Sequence, residues 1–110
     1  MESDQNKRKT GRSYAIKPTQ IKLLGKNYRL NDISDGGLGI IVDGPDTFLS
    51  GQRIDAVLLE LKDRTVSLKG TVAHINKTQL HYICGIRFIL DGIEEYNFVA
   101  QFKKERTRTE

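Results

Sequence analysis

The 110-residue chain has one cysteine, no tryptophan and two prolines. A single cysteine, Cys84, excludes an internal disulfide and suits a reducing compartment. No Cys/His spacing suggests a metal site, since His74 and His81 lie without acidic or Cys partners at ligand spacing. Also missing is any apolar run long enough to span a bilayer, and residues 1–12 have no apolar core of the kind a secretory leader needs. A cytoplasmic protein without membrane insertion is expected. A nucleophile–base pair is absent as well, so the chain is not expected to be an enzyme. Cys84 alternates with Ile86 and Phe88 and reads as a small buried hydrophobe.

Basic charge is scarce where a nucleic-acid binder would need it. The net charge of +4 divides into +3 over residues 1–17, −1 over 18–102 and +2 over 103–110. A protein gripping a nucleic-acid backbone needs a basic body, and one binding single strands needs interleaved aromatics. A small nucleic-acid-binding barrel is therefore the weaker alternative, and no nucleic-acid partner is expected. The positive ends point instead to a small anion met by a tail.

That tail, residues 1–13, has no apolar residue after Met1 and reads as flexible. It contains Lys7-Arg8-Lys9-Thr10-Gly11-Arg12. Such a run is either a solvated tail or a grip, in which Arg8 and Arg12 converge on one anion. Arginine offers a rigid fork for phosphate oxygens and a plane that stacks on a base. Lys7 and Lys9 either add charge or stay solvated.

Residues 14–24 read as extended, Gly25-Lys26-Asn27 as a turn and residues 28–33 as the returning strand. A hairpin folded about Lys26 would set Asp32 opposite roughly residue 20 and Ser34 opposite Pro18, at the sheet end where the tail arrives. Residues 38–42, 54–61, 65–75 and 82–90 supply four further strands, separated by polar turns. Gly70 suggests a bulge or bend in the fifth. Alternation from Val72 puts His74 inward, whereas a bulge at Gly70 would turn it outward. From Asp91 a helix is expected, with Asp91 as N-cap and Glu94 completing a capping box. Ile93, Tyr96, Val99 and Ala100 form one apolar stripe, and Phe98 and Phe102 a second pair. Six short strands and one helix predict an all-β fold, a six-stranded antiparallel β-barrel with one C-terminal α-helix over residues 14–104. Residues 105–110 read as a disordered tail.

The stretch Asn31-Asp32-Ile33-Ser34-Asp35-Gly36-Gly37-Leu38-Gly39 concentrates side-chain oxygens and glycine between two apolar runs. Asp32 and Ser34 can bond their own turn or hold out acceptors, and Gly36, Gly37 and Gly39 permit positive φ or close approach. The stretch is either an elaborate hairpin or the floor of a small-molecule site.

Arg8-x-x-x-Arg12, a hairpin and then Asp32-x-Ser34-x-x-Gly37 resemble the RxxxR and [D/N]xSxxG motifs of the PilZ family. Gly51-Gln52-Arg53-Ile54, Lys69-Gly70-Thr71-Val72 and Cys84-Gly85-Ile86-Arg87-Phe88 resemble further segments of that family, so the likeness covers about residues 7–104. The resemblance implies a barrel that binds the bacterial second messenger cyclic di-GMP, with no other cofactor. It implies that Arg8 and Arg12 hold phosphates and guanine, and that Asp32, Ser34 and Gly37 meet the guanine edges. Lys7, Lys9, Gly36 and His74 are possible additional contacts, His74 standing where family members often carry a large stacking aromatic. A downstream protein partner is expected. The alternative within the same fold is a protein-interaction adaptor with little or no nucleotide binding.

Overall fold

A computed structural model describes residues 13–15 and 19–109. In chain order these form β1 (Ser13–Ala15), β2 (Gln20–Leu23), β3 (Lys26–Ser34), β4 (Gly37–Val42), β5 (Arg53–Leu61), β6 (Arg64–Lys77), β7 (Tyr82–Ile89), α1 (Ile93–Arg106) and β8 (Thr107–Thr109). Six strands close on themselves in the order β2-β5-β6-β7-β4-β3, with β3 returning to β2 and every pairing antiparallel. The expected six-stranded barrel with a C-terminal helix is the observed fold, and closure leaves these six strands without a free edge. β1 continues the sheet beyond β3, and β8 pairs on its far side. Where a disordered tail over 105–110 is expected, the helix therefore runs to Arg106 and residues 107–109 pair with β1.

The first hairpin turns one step earlier than Gly25-Lys26-Asn27. Leu23 pairs with Lys26, and the two loop residues, Leu24 and Gly25, have φ of 50° and 81°. Positive φ at both positions matches the right-handed twist of the flanking strands, at a small conformational cost for Leu24. β2 parts from β3 after Gln20 opposite Arg29, and β1 then takes over with Tyr14 opposite Asp32. Asp32 is thus opposite Tyr14, not residue 20, because β3 is shared by two strands in different registers.

Alternation fills the barrel. Ile21, Leu23, Leu30, Ile33, Ile40, Leu59, Leu68, Val72 and Ile86 are all buried inward residues. Cys84 is buried among them, as expected, and burial pushes its thiol up from 9.0 to about 11. Alternation slips at three places, between Leu30 and Asp32 on β3, between Ile54 and Val57 on β5, and between Val72 and His74 on β6. Gly70 is not one of them. It stays opposite Phe88, and glycine is required there because a Cβ would lie 2.7 Å from the Ile86 side chain and 3.0 Å from the Arg87 carbonyl.

Helix α1 begins one residue after the expected start. Glu95, not Glu94, reaches back to accept from the Asp91 N–H, because the helix opens at Ile93 and Glu95 is then its third residue. The buried face is Phe98, Val99 and Phe102, whereas Ile93 and Tyr96 are 72% and 53% exposed. The Phe pair wins because it carries more apolar area into the barrel core. The Arg64 guanidinium sits 4.8 Å from the Phe98 ring centre, and Arg106 Nη2 donates to the Glu60 carbonyl at 3.3 Å. No helix among the described residues is long and apolar enough to cross a membrane.

Phe102→Ala should cost about 3–5 kcal/mol of unfolding free energy, measured by urea titration. The Cys84 thiol predicts a second effect. Its raised folded pKa contributes stability that is complete below about pH 9 and is lost as the pH rises through about 11. The stability advantage of wild type over Cys84→Ala should therefore shrink across that window, and a constant difference would contradict it.

Candidate functional site

Two of the three slips in alternation build the site. On β3 the extra residue is Asn31, so Leu30 and Ile33 both point inward while Asp32 and Ser34 move to the outer face. On β6 the extra residue is Ala73, so Val72 and Ile75 pack on the core while His74 is exposed on the same outer face. The slip that frees His74 lies at Ala73, not at Gly70. It is held by the loop before β5. Gly51 N–H donates to the Val72 carbonyl at 2.7 Å, Val72 N–H to the Gln52 carbonyl at 2.9 Å, and Ser50 Oγ to the Ala73 carbonyl at 3.2 Å. Gly51 reaches this position with φ of 87°, which favours glycine.

Asp32 and His74 are then the ends of one cross-strand row. Asp32 stands opposite Gly39, Gly39 opposite Gly85, and Gly85 opposite His74. Three strand spacings put their backbones roughly 14 Å apart. Both side chains lean over the glycines between them. A Cβ on Gly39 would lie 2.6 Å from Asp32 Oδ2, and a Cβ on Gly85 3.1 Å from the His74 ring. The adjacent row runs Ser34, Gly37, Arg87, Thr71. Gly37 is pressed on β7, where a Cβ would lie 2.3 Å from the Ile86 carbonyl oxygen.

The result is an open depression of about 300 Å³ lined by Asp32, Ser34, Gly36, Gly39, His74 and Arg87, among others. Its floor is bare backbone, which admits a flat group closely. Asp32 is 4% exposed, and its carboxylate accepts from Asn31 Nδ2 at 2.6 Å. Ser34 Oγ donates to the Gly37 carbonyl at 3.4 Å, and the Gly36 carbonyl accepts from Phe88 N–H at 2.8 Å. Asp35, the other acid of the turn, pairs with Lys103 of α1 at 2.9 Å. None of Gly36, Gly37 and Gly39 has positive φ. Gly37 and Gly39 serve close approach, and Gly39 belongs to the floor beneath Asp32.

The structure brings together Asp32, Ser34, Gly36, Gly37 and His74. Arg8, Arg12, Lys7 and Lys9 lie outside the described residues. Gly39, which the sequence marks for positive φ or close approach, joins the floor, and Arg87 and Gly85 join the site without a role assigned to them by sequence. The signal for Arg87 was its place on β7 opposite in phase to Cys84, Ile86 and Phe88. Among the described residues no group of His, Cys, Asp and Glu is arranged to hold a metal ion.

A closed six-stranded barrel with a glycine-floored depression on its outer face is of a recognisable kind. The PilZ domain model matches residues 6–101, and the chain belongs to the PilZ family. The PilZ domain of YcgR from Escherichia coli, solved with c-di-GMP, superposes with a TM-score of 0.75 at 16% identity over 92% of each chain. MotI/DgrA, the Bacillus subtilis inhibitor of motility, gives 0.65 at 16% identity over 92% of this chain and 51% of its own. MrkH, a c-di-GMP-dependent transcription regulatory factor, gives 0.63 at 13% identity over 84% of this chain and 48% of its own. A search of the curated proteins found no match. At these identities the likeness is one of fold.

The motif glycines separate under substitution. Gly37→Ala drives a Cβ into the Ile86 backbone and should cost about 2–4 kcal/mol. Gly36→Ala meets nothing within 4 Å and should change stability by less than about 0.5 kcal/mol. Equal urea midpoints for the two variants would refute this placement of the turn.

Proposed function

We propose that this protein is a non-enzymatic cyclic di-GMP receptor whose N-terminal arginines close over a nucleotide lying on the Asp32–His74 row. The observation that carries the reading is that row itself, an acid and an imidazole leaning over a glycine floor with Arg87 beside them. Guanine presents N1–H and N2–H₂ donors, and the Asp32 carboxylate is the matching acceptor. His74 offers a plane for stacking. Ser34, Gly36 and Gly37 shape the edge of the floor, which brings the base within reach of the backbone.

The ligand also carries two phosphates, which need cations. Arg87 supplies one on the barrel. Arg8 and Arg12 supply the others, and the register favours them: Arg12 is two residues from Tyr14, which stands opposite Asp32. An extended chain spans at most ~7 Å over that distance, which bounds how far the Arg12 backbone can lie from the strand position opposite Asp32. Lys7 and Lys9 add charge to the same segment. Ordering of this tail over the ligand changes the surface offered to a downstream protein in the cytoplasm. The YcgR domain solved with c-di-GMP and MrkH, described as dependent on it, support the choice of nucleotide.

Calorimetric titration with cyclic di-GMP, with GTP as control, tests the reading directly. Arg8→Ala and Arg12→Ala should each weaken binding by about 1.5–3 kcal/mol, as for a charge-assisted contact, and Asp32→Ala by a similar amount. Unchanged affinity in all three variants would overturn it.

A further inference from the structure

Neighbouring residues of a regular strand point to opposite faces, so their side chains do not meet. Asn31 and Asp32 are an exception. Asn31 Nδ2 donates to Asp32 Oδ2 at 2.6 Å, a contact made possible by the slip in register between Leu30 and Asp32. The bulge therefore does more than turn Asp32 outward. It also brings a half-buried amide against a buried carboxylate.

The surroundings of Gly39 complete the seat. A Cβ there would lie 2.6 Å from Asp32 Oδ2, 3.2 Å from Asp32 Cγ and 3.1 Å from Ile83 Cγ2. The carboxylate thus lies in a slot, with Asn31 bonded to one oxygen, the Gly39 backbone beneath it and Ile83 beside it. The slot restricts a terminal torsion that is otherwise broad and roughly two-fold in aspartate. A freely turning carboxylate presents many planes, whereas the N1–H and N2–H₂ donors of a guanine edge need one. The kind of partner also matters. An amide occupies one of the acceptor sites of the carboxylate and leaves its charge intact, whereas a lysine or arginine there would neutralise the charge that attracts the base.

We infer that Asn31 is a positioning residue of this site, whose amide fixes the plane of the Asp32 carboxylate over the Gly39 floor and so sets the affinity for a guanine edge. The inference rests on the receptor reading above. It adds a residue that lies outside both sequence motifs and outside the lining of the depression, and that acts through Asp32.

The test is calorimetric titration of the full chain with cyclic di-GMP, arranged as a double-mutant cycle. Asn31→Ala should bind roughly tenfold more weakly than wild type, as for a lost bond to a charged group. In an Asp32→Ala background the same substitution should change affinity by less than about twofold, because the group it positions is gone. Asn31→Asp keeps the shape and replaces the donor by a second carboxylate, so it should bind at least as weakly as Asn31→Ala. This arm decides even where Asp32→Ala binds too weakly to titrate. If wild type binds and Asn31→Ala or Asn31→Asp stays within about twofold of it, the inference falls and the receptor reading stands. Equal losses from Asn31→Ala in both backgrounds would show a merely structural role for Asn31 and refute positioning through Asp32. Absence of binding by wild type would overturn the receptor reading and this inference together.

Discussion

A β-strand has only two faces, and an antiparallel ladder fixes which residue takes which. Everything distinctive about this barrel follows from breaking that rule by one residue at chosen places. Were Asn31 paired in regular alternation and not bulged, Asp32 would be driven into a core made of Leu30, Leu38 and Ile40, and a carboxylate there would be costly. Were Ala73 paired in regular alternation, His74 would take the place that Ile75 now occupies against the core. The bulges let one strand serve the core along half its length and the outer face along the other half. The Ser50–Gln52 loop that braces Ala73 is thus part of the site's construction, although it contributes no residue to the lining of the depression.

Glycine does the complementary task. Gly37, Gly39 and Gly85 are in extended backbone, and their importance lies in the volume they leave empty. Asp32 and His74 occupy the space above two of them, so the depression is the union of missing side chains flanked by present ones. The turn that carries this floor is tied to α1 by Asp35 and Lys103, an ion pair with Asp35 largely exposed and therefore of modest strength. The tie matters less for stability than for register between the turn and the helix that closes the barrel.

Much of this was legible from residues alone. Tyr82, Cys84, Ile86 and Phe88 announced an inward face, and their period required no tertiary knowledge. Asp32, Ser34 and Gly37 were identifiable because oxygen-bearing residues and glycine are concentrated there between apolar strands. Other features depend on partners distant in sequence. Asn31 and Ala73 look like ordinary strand residues, since a bulge is a property of two strands and only one is visible at a time. The helix carried two stripes compatible with helical spacing, and the barrel interior, not periodicity, selected Phe98 and Phe102 over Ile93 and Tyr96. Arg87 becomes a site residue only once Gly37 is known to lie beside it, and the first hairpin's register depended on Leu24 accepting a positive φ that leucine seldom adopts.

The pairing of Ser13 with Thr109 has a topological consequence. The two places where the described chain begins and finishes lie about one strand spacing apart, roughly 5 Å. A module with adjacent ends can be spliced into a surface loop of a host protein without prying that loop open.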